Sequence, residues 1–314
     1  MIDVQRLRIL REVARQGSFS KAAAALLFTP SAVSQQIATL ERSIGAPVVE
    51  RSTRGVVLTE PGRLLVEAAE AVFAELHHAQ EQIDRIAAGR PTLTIATFGS
   101  GGRHLLPRAL GPFAADHPDV EINVLEREPE DGIPLVRDGT ADLAIAYHFD
   151  GPLPLASGDR SALHWTPLME DPMSAVLPAG HRLAGRQSLD LAELAGERWV
   201  LGCTKTDAFL RRYAEGAGFE PRFAGVTSDY FFAQSLVSAG VSVSLIPLVA
   251  LDHSAADLAV VPIRPPRPTR YIGVATARRR RPQPLVESLV DALLQAVGRG
   301  CPAPEGSSAL PADA

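Results

Sequence analysis

Apolar residues recur at helical spacing through the first 45 residues, and this pattern predicts three short helices. The first spans about Val4 to Gln16 and ends at Gly17, and the second spans Ser20 to Leu27. The third begins with Thr29 as its N-cap and Pro30 at its first position, where the missing N–H of proline costs nothing. Three helices in such close succession indicate a small helical domain at the start of the chain.

The second and third helices have the features of a helix-turn-helix. Ser18 or Ser20 can cap the second helix, and its run of four alanines allows the next helix to cross it closely. Apolar residues spaced four and three apart form one buried stripe along the third helix. Ser31, Ser34 and Gln35 lie off that stripe, at the end that would face bases in a major groove.

A short hairpin is predicted after the third helix. The β-prone runs Pro47–Val49 and Val56–Leu58 flank a turn with Arg51 and Arg54, which could contact phosphates or an adjacent minor groove. The alternative is a plain helical domain with a solvated basic face. The predicted DNA contacts are Ser18, Ser20, Thr29, Pro30, Ser31, Ser34, Gln35, Arg51 and Arg54.

A single long helix is predicted from Glu60 to about Ala88. Apolar residues alternate spacings of four and three along it, and such a stripe favours pairing with a second copy of the chain. The alternative is that the stripe packs on the chain's own body. The predicted dimer contacts are Leu65, Val72, Leu76 and Ile83.

Beyond residue 90, strand-like and helix-like runs alternate and predict an α/β body. A first set of strands has a helix from about Arg103 to Asp116, and its order implies parallel pairing. A second set follows, and a closing strand and helix return to the first, so we expect two lobes joined by crossovers near residues 148–164 and 264–270. The predicted strands are Leu93–Phe98, Val120–Leu125, Asp142–Tyr147, Met173–Leu177, Arg198–Leu201, Arg222–Val226, Val241–Ile246, Ala259–Ile263 and Tyr271–Thr276.

The predicted fold class is therefore α/β, with an α-rich winged helix-turn-helix head, a long linker helix and a two-lobed body. The expected boundaries are 1–60 for the head (helix-turn-helix at about 18–38), 61–89 for the linker, 90–298 for the body and 299–314 for a flexible tail. Within the body, lobe I covers about 91–163 and 269–298, and lobe II about 164–268.

Composition and charge narrow the classes of function. With 46% hydrophobic residues the chain can bury real cores, and its two cysteines cannot form a disulfide framework or a CxxC metal site. Neither a signal peptide nor an 18-residue apolar run is recognised, so a soluble cytoplasmic protein is expected. Residues 1–65 hold nine basic and five acidic side chains, whereas residues 66–314 hold 22 and 31. A basic head on an acidic body suggests one module for a polyanion and another for a different ligand.

Candidate ligand contacts in the body follow from the rule that ligands lie beyond the carboxyl ends of parallel strands. The start of the helix after the first strand could hold an anion, and two glutamates after the second strand would face it. This arrangement suits a ligand that carries both charges, or a neutral polar one. The predicted contacts are Ser100, Gly101, Glu126, Glu128, Tyr147, Cys203, Thr204, Thr227 and Ser228; no metal or cofactor is expected, and the effector is unknown.

Specific sequence motifs occur at residues 7–10, 17–23, 29–37, 40–41, 45, 50–51 and 58–62. Together they resemble the N-terminal domain of LysR-type transcriptional regulators. Many members have Arg at position 35, where this chain has Gln35. The resemblance implies a periplasmic-binding-protein-like effector domain, with Ser100, Glu128, Cys203 and Thr227 near effector contacts. It also implies a homodimer or tetramer on a partly palindromic site with a T-N11-A core, autoregulation and divergent target genes.

The leading hypothesis is a sequence-specific DNA-binding regulator whose activity a small-molecule effector modulates, with RNA polymerase as a further candidate partner. A solute-binding protein or an enzyme on the two-lobed body is the second class. It leaves the head without a role, and no GxSxG, Walker A or HExxH motif occurs, so we expect no enzyme. A third hypothesis makes Cys203 a redox sensor with Cys301 as its partner.

Overall fold

A computed structural model of the 314-residue chain describes residues 2–52, 55–149, 163–251, 255–278 and 283–298. The predicted tail, 299–314, and most of the first predicted crossover lie outside these ranges. Within them, no helix has the length and apolar character needed to cross a bilayer. The same residues contain no cluster of three or more side chains arranged to hold a metal ion.

The head has the three predicted helices followed by a hairpin. The first helix ends as predicted at Gly17, whose φ of 60° is the left-handed conformation that glycine adopts without strain. One apolar core joins the helices to the hairpin, and it includes Ile9, Leu10, Val33 and Leu40. The bounds are α1 Val4–Gln16, α2 Phe19–Leu26, α3 Pro30–Ile44, β1 Val49–Ser52 and β2 Gly55–Leu58.

The linker is one continuous helix, α4, from Glu60 to Ala88, as the apolar spacing predicts. Its start lies close against the hairpin. A Cβ at Gly62 would come within 2.0 Å of the Val48 carbonyl oxygen, so only glycine fits there.

The first lobe begins with two parallel pairs of strands. β3 pairs in parallel with both β4 and β5, as βαβ order requires. The helix predicted from Arg103 begins earlier, at Gly99, and breaks at Leu105 into two pieces. A further helix follows β4 and is not predicted from the sequence. Its periodicity is obscured by Pro129, Gly132 and Pro134. The bounds are β3 Thr92–Thr97, α5 Gly99–His104, α6 Leu106–Asp116, β4 Glu121–Glu126, α7 Pro129–Arg137 and β5 Leu143–Phe149.

One 16-residue strand, β6 Leu163–Pro178, runs through both lobes. The second lobe packs around the buried Trp199 side chain. The remaining bounds are β7 Arg198–Leu201, α8 Asp207–Gly216, β8 Arg222–Val226, α9 Tyr230–Ser238, β9 Ser244–Pro247, β10 Leu258–Pro262, β11 Thr269–Ala277 and α10 Pro284–Gly298.

The chain passes from the first lobe to the second within strand β6, whereas the sequence predicts that it does so in a crossover near residues 148–164. Residues Leu163–Pro172 pair with β11 of the first lobe, and Met173–Pro178 pair with β9 and β10 of the second. The main sheet has the order β10-β6-β11-β5-β3-β4, so the parallel strands continue into an antiparallel part. Helix α10 returns to the first lobe, as predicted, and the structure shows that it packs on α6 there.

Candidate DNA interface and effector cleft

The turn between α2 and α3 is built from two side-chain caps. Ser18 Oγ accepts a hydrogen bond from the Lys21 N–H at 3.4 Å, and Thr29 Oγ1 accepts one from the Ala32 N–H at 3.2 Å. Each helix therefore has one of its free N–H groups satisfied. Leu27 closes α2 in the left-handed conformation, with a φ of 58°. Ser18 and Thr29 thus fix the two helix starts at the predicted interface.

The outer face of α3 begins at this turn. The Val33 and Ile37 side chains are buried in the head, and Ser34 is half-buried. The other predicted contacts in the two helices are exposed, namely Ser20, Thr29, Pro30, Ser31 and Gln35. A polar helix face next to an exposed turn has the shape and chemistry that a major groove admits.

The hairpin is fixed to α3 by a carboxylate. Glu41 Oε1 accepts a hydrogen bond from the Val48 N–H at 2.9 Å. Of the two predicted phosphate contacts, Arg54 lies outside the described residues. Arg51 belongs to β1, and its side chain is likewise outside the description.

The apolar stripe of α4 divides into two parts. Leu65 packs against the core of the head, and Ala69 is fully buried. Farther along, Val72, Leu76 and Ile83 are 38%, 53% and 59% exposed. The exposed part is a row of large apolar side chains on a helix, a surface that pairing with another helix would bury.

A cleft of about 480 Å³ lies between the two lobes of the body. Its first wall comes from β3, α5 and the ends of β4 and β5, and its second wall from the loop after β7 and the start of α9. The lining residues with charged or polar side chains are Thr97, Ser100, Arg103, Glu126, Glu128, Tyr147, Cys203, Ser228, Asp229, Tyr230 and Arg270.

An ion pair is buried at the base of the cleft. Arg270 Nε lies 2.5 Å from Asp171 Oδ2, and the two side chains are 1% and 0% exposed. Arg270 also donates to Ser100 Oγ at 2.9 Å, while Asp171 Oδ1 accepts from the Val249 N–H at 2.9 Å. Both charges are therefore satisfied within the protein, as buried charges must be.

A second polar contact joins the two walls. Tyr147 donates to Glu128 Oε2 at 2.7 Å, and Lys205 of the second lobe lies 3.7 Å from the same oxygen and is bonded to Glu130. Burial raises the pKa of the Tyr147 hydroxyl, so this group remains a proton donor at neutral pH. The Lys205 contacts connect the lobes at the edge of the cleft.

Two family models together match most of the chain. Residues 4–63 match the model described as "Bacterial regulatory helix-turn-helix protein, lysR family", and residues 87–298 match "LysR substrate binding domain". The chain belongs to the LysR family. It is a DNA-binding transcriptional regulator in which a substrate-binding domain follows the head, and regulators of this family bind DNA and form oligomers.

Similar regulators align over nearly the full length of this LysR chain. The transcriptional dual regulator GltC of Bacillus subtilis is 28% identical over 300 residues, covering 94% of this chain and 97% of GltC. A probable hydrogen peroxide-inducible genes activator of Mycobacterium avium is 30% identical over 280 residues, covering 85% and 86%. Full-length CbnR in complex with its target DNA has the same fold, with a TM-score of 0.52, 21% identity and coverage of 94% and 100%.

Of the nine predicted effector contacts of this LysR regulator, six line the cleft: Ser100, Glu126, Glu128, Tyr147, Cys203 and Ser228. The structure places the other three beside it. Gly101 packs against the Phe98 ring, and Thr227 is buried, donating its hydroxyl to the carbonyl oxygens of Leu201 and Asp229. Thr204 is exposed at the start of a short helix.

Arg270, the central cation of the cleft, is not among the contacts predicted from the sequence. Arg270 directly precedes the predicted strand Tyr271–Thr276 and falls within the predicted crossover near residues 264–270. A signal was present, since a single arginine followed by the apolar run from Tyr271 must be either exposed or paired. Its partner Asp171 is 99 residues away, and nothing in the local pattern connects the two.

Cys203 lines the cleft, but its surroundings are unlike those of a reactive thiol. Burial raises the pKa of the Cys203 thiol, and the nearby Glu128 carboxylate acts in the same direction. A raised pKa lowers the thiolate fraction that oxidation requires. Its predicted disulfide partner, Cys301, lies outside the described residues.

Proposed function

We propose that this LysR regulator reads its operator with α3 and responds to a small-molecule effector held between the lobes. The observation that carries the proposal is that one chain joins an exposed, capped helix-turn-helix to a cleft whose two walls come from different lobes. A ligand in such a cleft alters regulation because it binds one arrangement of the lobes better than another.

At the DNA, Ser31 and Gln35 contact base edges, and Gln35 suits adenine, to which its amide can both donate and accept. Arg51 and Arg54 contact phosphates and fix the register. The charge of the chain supports this division, since the head is basic and the acidic body is repelled by DNA.

The route from the cleft to the head passes through the end of α7. Arg137 lies 3.6 Å from Glu70 on α4, and Asp138 lies 3.8 Å from Arg11 on α1. Gly139 follows, with the His77 ring close enough that a Cβ would meet it at 3.0 Å. A change in the lobe that carries α7 would therefore move α4 and α1, and with them the recognition helix.

The assembly we propose is a homodimer through the exposed stripe of α4, and a tetramer as two such dimers. Its partners are double-stranded DNA and RNA polymerase. In this function the cleft binds and does not catalyse, and the protein works in the cytoplasm, where the chromosome is.

Footprinting on the DNA beside the protein's own gene, over a series of salt concentrations, tests the proposal. A two-fold-related site that survives moderate salt is expected. Gln35→Ala should relax the preference at one base position, at a cost of about 1–3 kcal/mol, and Gln5→Ala, on exposed α1, should leave it intact. Arg51→Ala should instead weaken binding to all sequences and lower the salt slope by roughly one contact.

Uniform loss of binding as salt rises, with no protected site, would refute sequence-specific recognition. Identical behaviour of the Gln35 and Arg51 variants would refute the separate roles given to α3 and the hairpin.

A further inference from the structure

The cations of the effector cleft are mostly neutralised by the protein itself. Arg270 is paired with Asp171, and Lys205 is bonded to Glu130. Arg103 is left, and its guanidinium lies 3.7 Å from the centre of the Phe231 ring. Among the described residues of the cleft, Arg103 is therefore the one cation that remains available to a ligand.

The carboxylates of the cleft outnumber that cation. Glu126, Glu128 and Asp229 all line it. Asp229 accepts the Phe231 N–H at the start of α9, and Glu128 accepts the Tyr147 hydroxyl. The described residues provide no hydrogen bond or ion pair for the Glu126 carboxylate. The cleft therefore has an excess of negative charge, with Glu126 as its unpaired member.

Glu126 also occupies the place where a ligand carboxylate would enter. Its Oε1 lies only 3.0 Å from where a Cβ at Gly99 would be, beside the backbone that begins α5. A second carboxylate there would meet a like charge at close range, whereas a protonated amine would gain a charge-assisted hydrogen bond.

Aromatic rings make up the apolar part of the lining. Phe98, Tyr147, Tyr230 and Phe231 all contribute to it. Aromatic walls favour a flat or apolar ligand body. Their cation-binding faces are already used within the protein, because Arg270 lies over Phe98, Tyr147 and Tyr230 and Arg103 lies over Phe231.

We propose that the effector is a small organic cation, with a protonated amine at Glu126 and an aromatic or apolar body among these rings. This rests on the proposed function of the cleft as the effector site. It departs from the sequence-based expectation of an anion at the start of α5, because that place already holds a carboxylate.

The test uses full-length protein and three compounds that share a phenyl ring on a two-carbon chain. Phenethylammonium carries only the amine, 3-phenylpropanoate only the carboxylate, and phenylalanine both. Calorimetric titration at low ionic strength should give the order phenethylammonium, phenylalanine, 3-phenylpropanoate, with about tenfold or more between the first and the last.

Glu126→Gln should weaken phenethylammonium about tenfold and leave the melting temperature unchanged, because the side chain is exposed and unpaired. Glu121→Gln is the matched control, since Glu121 is an exposed residue at the far end of the same strand and outside the cleft. Its affinity for phenethylammonium should equal that of the unmodified protein.

Three results would overturn the proposal: equal or tighter binding of 3-phenylpropanoate, unchanged affinity in Glu126→Gln, or no binding of phenethylammonium at millimolar concentration. Footprinting of the ligand-free protein, run in parallel, separates this failure from failure of the proposed function. A protected operator with the wrong ligand order refutes only the charge class.

Discussion

The buried Arg270–Asp171 pair links the neighbouring strands β11 and β6, and its loss should destabilise the effector domain strongly. The pair lies at 2.5 Å with both side chains almost fully buried. Arg270→Met keeps much of the side-chain length and removes the charge, so Asp171 is left as an unpaired buried carboxylate.

The expected cost of Arg270→Met is about 3–5 kcal/mol, the usual range when one partner of a buried ion pair is removed. Asp171→Asn in addition should restore about 2 kcal/mol or more, because it removes the stranded charge. The asparagine oxygen can still accept the Val249 N–H that Asp171 Oδ1 accepts at 2.9 Å. The double variant should therefore be more stable than the single one.

Urea unfolding followed by tryptophan fluorescence measures this effect selectively. Both tryptophans of the chain, Trp165 and Trp199, belong to the body, so the signal reports its unfolding and not that of the head. Arg267→Met is the control, since Arg267 is exposed, and it should change the free energy of unfolding by less than about 0.5 kcal/mol. A cost below about 1 kcal/mol for Arg270→Met, or a double variant less stable than the single, would refute the reasoning.

Three further results are expected. Val72→Glu should dissociate the dimer in sedimentation, because it puts a charge into the exposed apolar stripe of α4. The control Ala71→Glu lies beside the stripe and should leave the dimer intact. Equal behaviour of the two variants would exclude this stripe as the interface. In a Cys301→Ser background, iodoacetamide should alkylate Cys203 more slowly at pH 8 than it alkylates an unstructured peptide cysteine, because burial raises the pKa of the Cys203 thiol. The rate should increase as the pH rises. A rate equal to that of the peptide would contradict this expectation. Gly62→Ala should destabilise the head by about 1–3 kcal/mol in circular-dichroism melts, because the added Cβ would lie 2.0 Å from the Val48 carbonyl oxygen. An unchanged melting temperature would show that α4 can shift to accommodate the methyl group.

Local signals predicted the elements that local chemistry specifies. Helix α1 ends at Gly17 and α4 runs from Glu60 to Ala88, as expected, because caps and apolar spacing act within a few residues. Helix α7 escaped prediction for the same reason, since prolines and a glycine mask its local pattern although packing against β5 keeps it helical. The resemblance of the head to the LysR family, confirmed by the family models, also rests on such local motifs.

The sequence by itself thus determined the head, the linker helix, the succession of strands along the chain of the body and six of the residues that line the cleft. Tertiary structure alone decided that β6 serves both lobes, that Glu126 covers the start of α5, and that Arg270 meets Asp171 at the base of the cleft. These depend on register and on contacts between residues far apart in the chain. A period of two or 3.6 residues fixes which face a side chain takes, but not which distant side chain it meets.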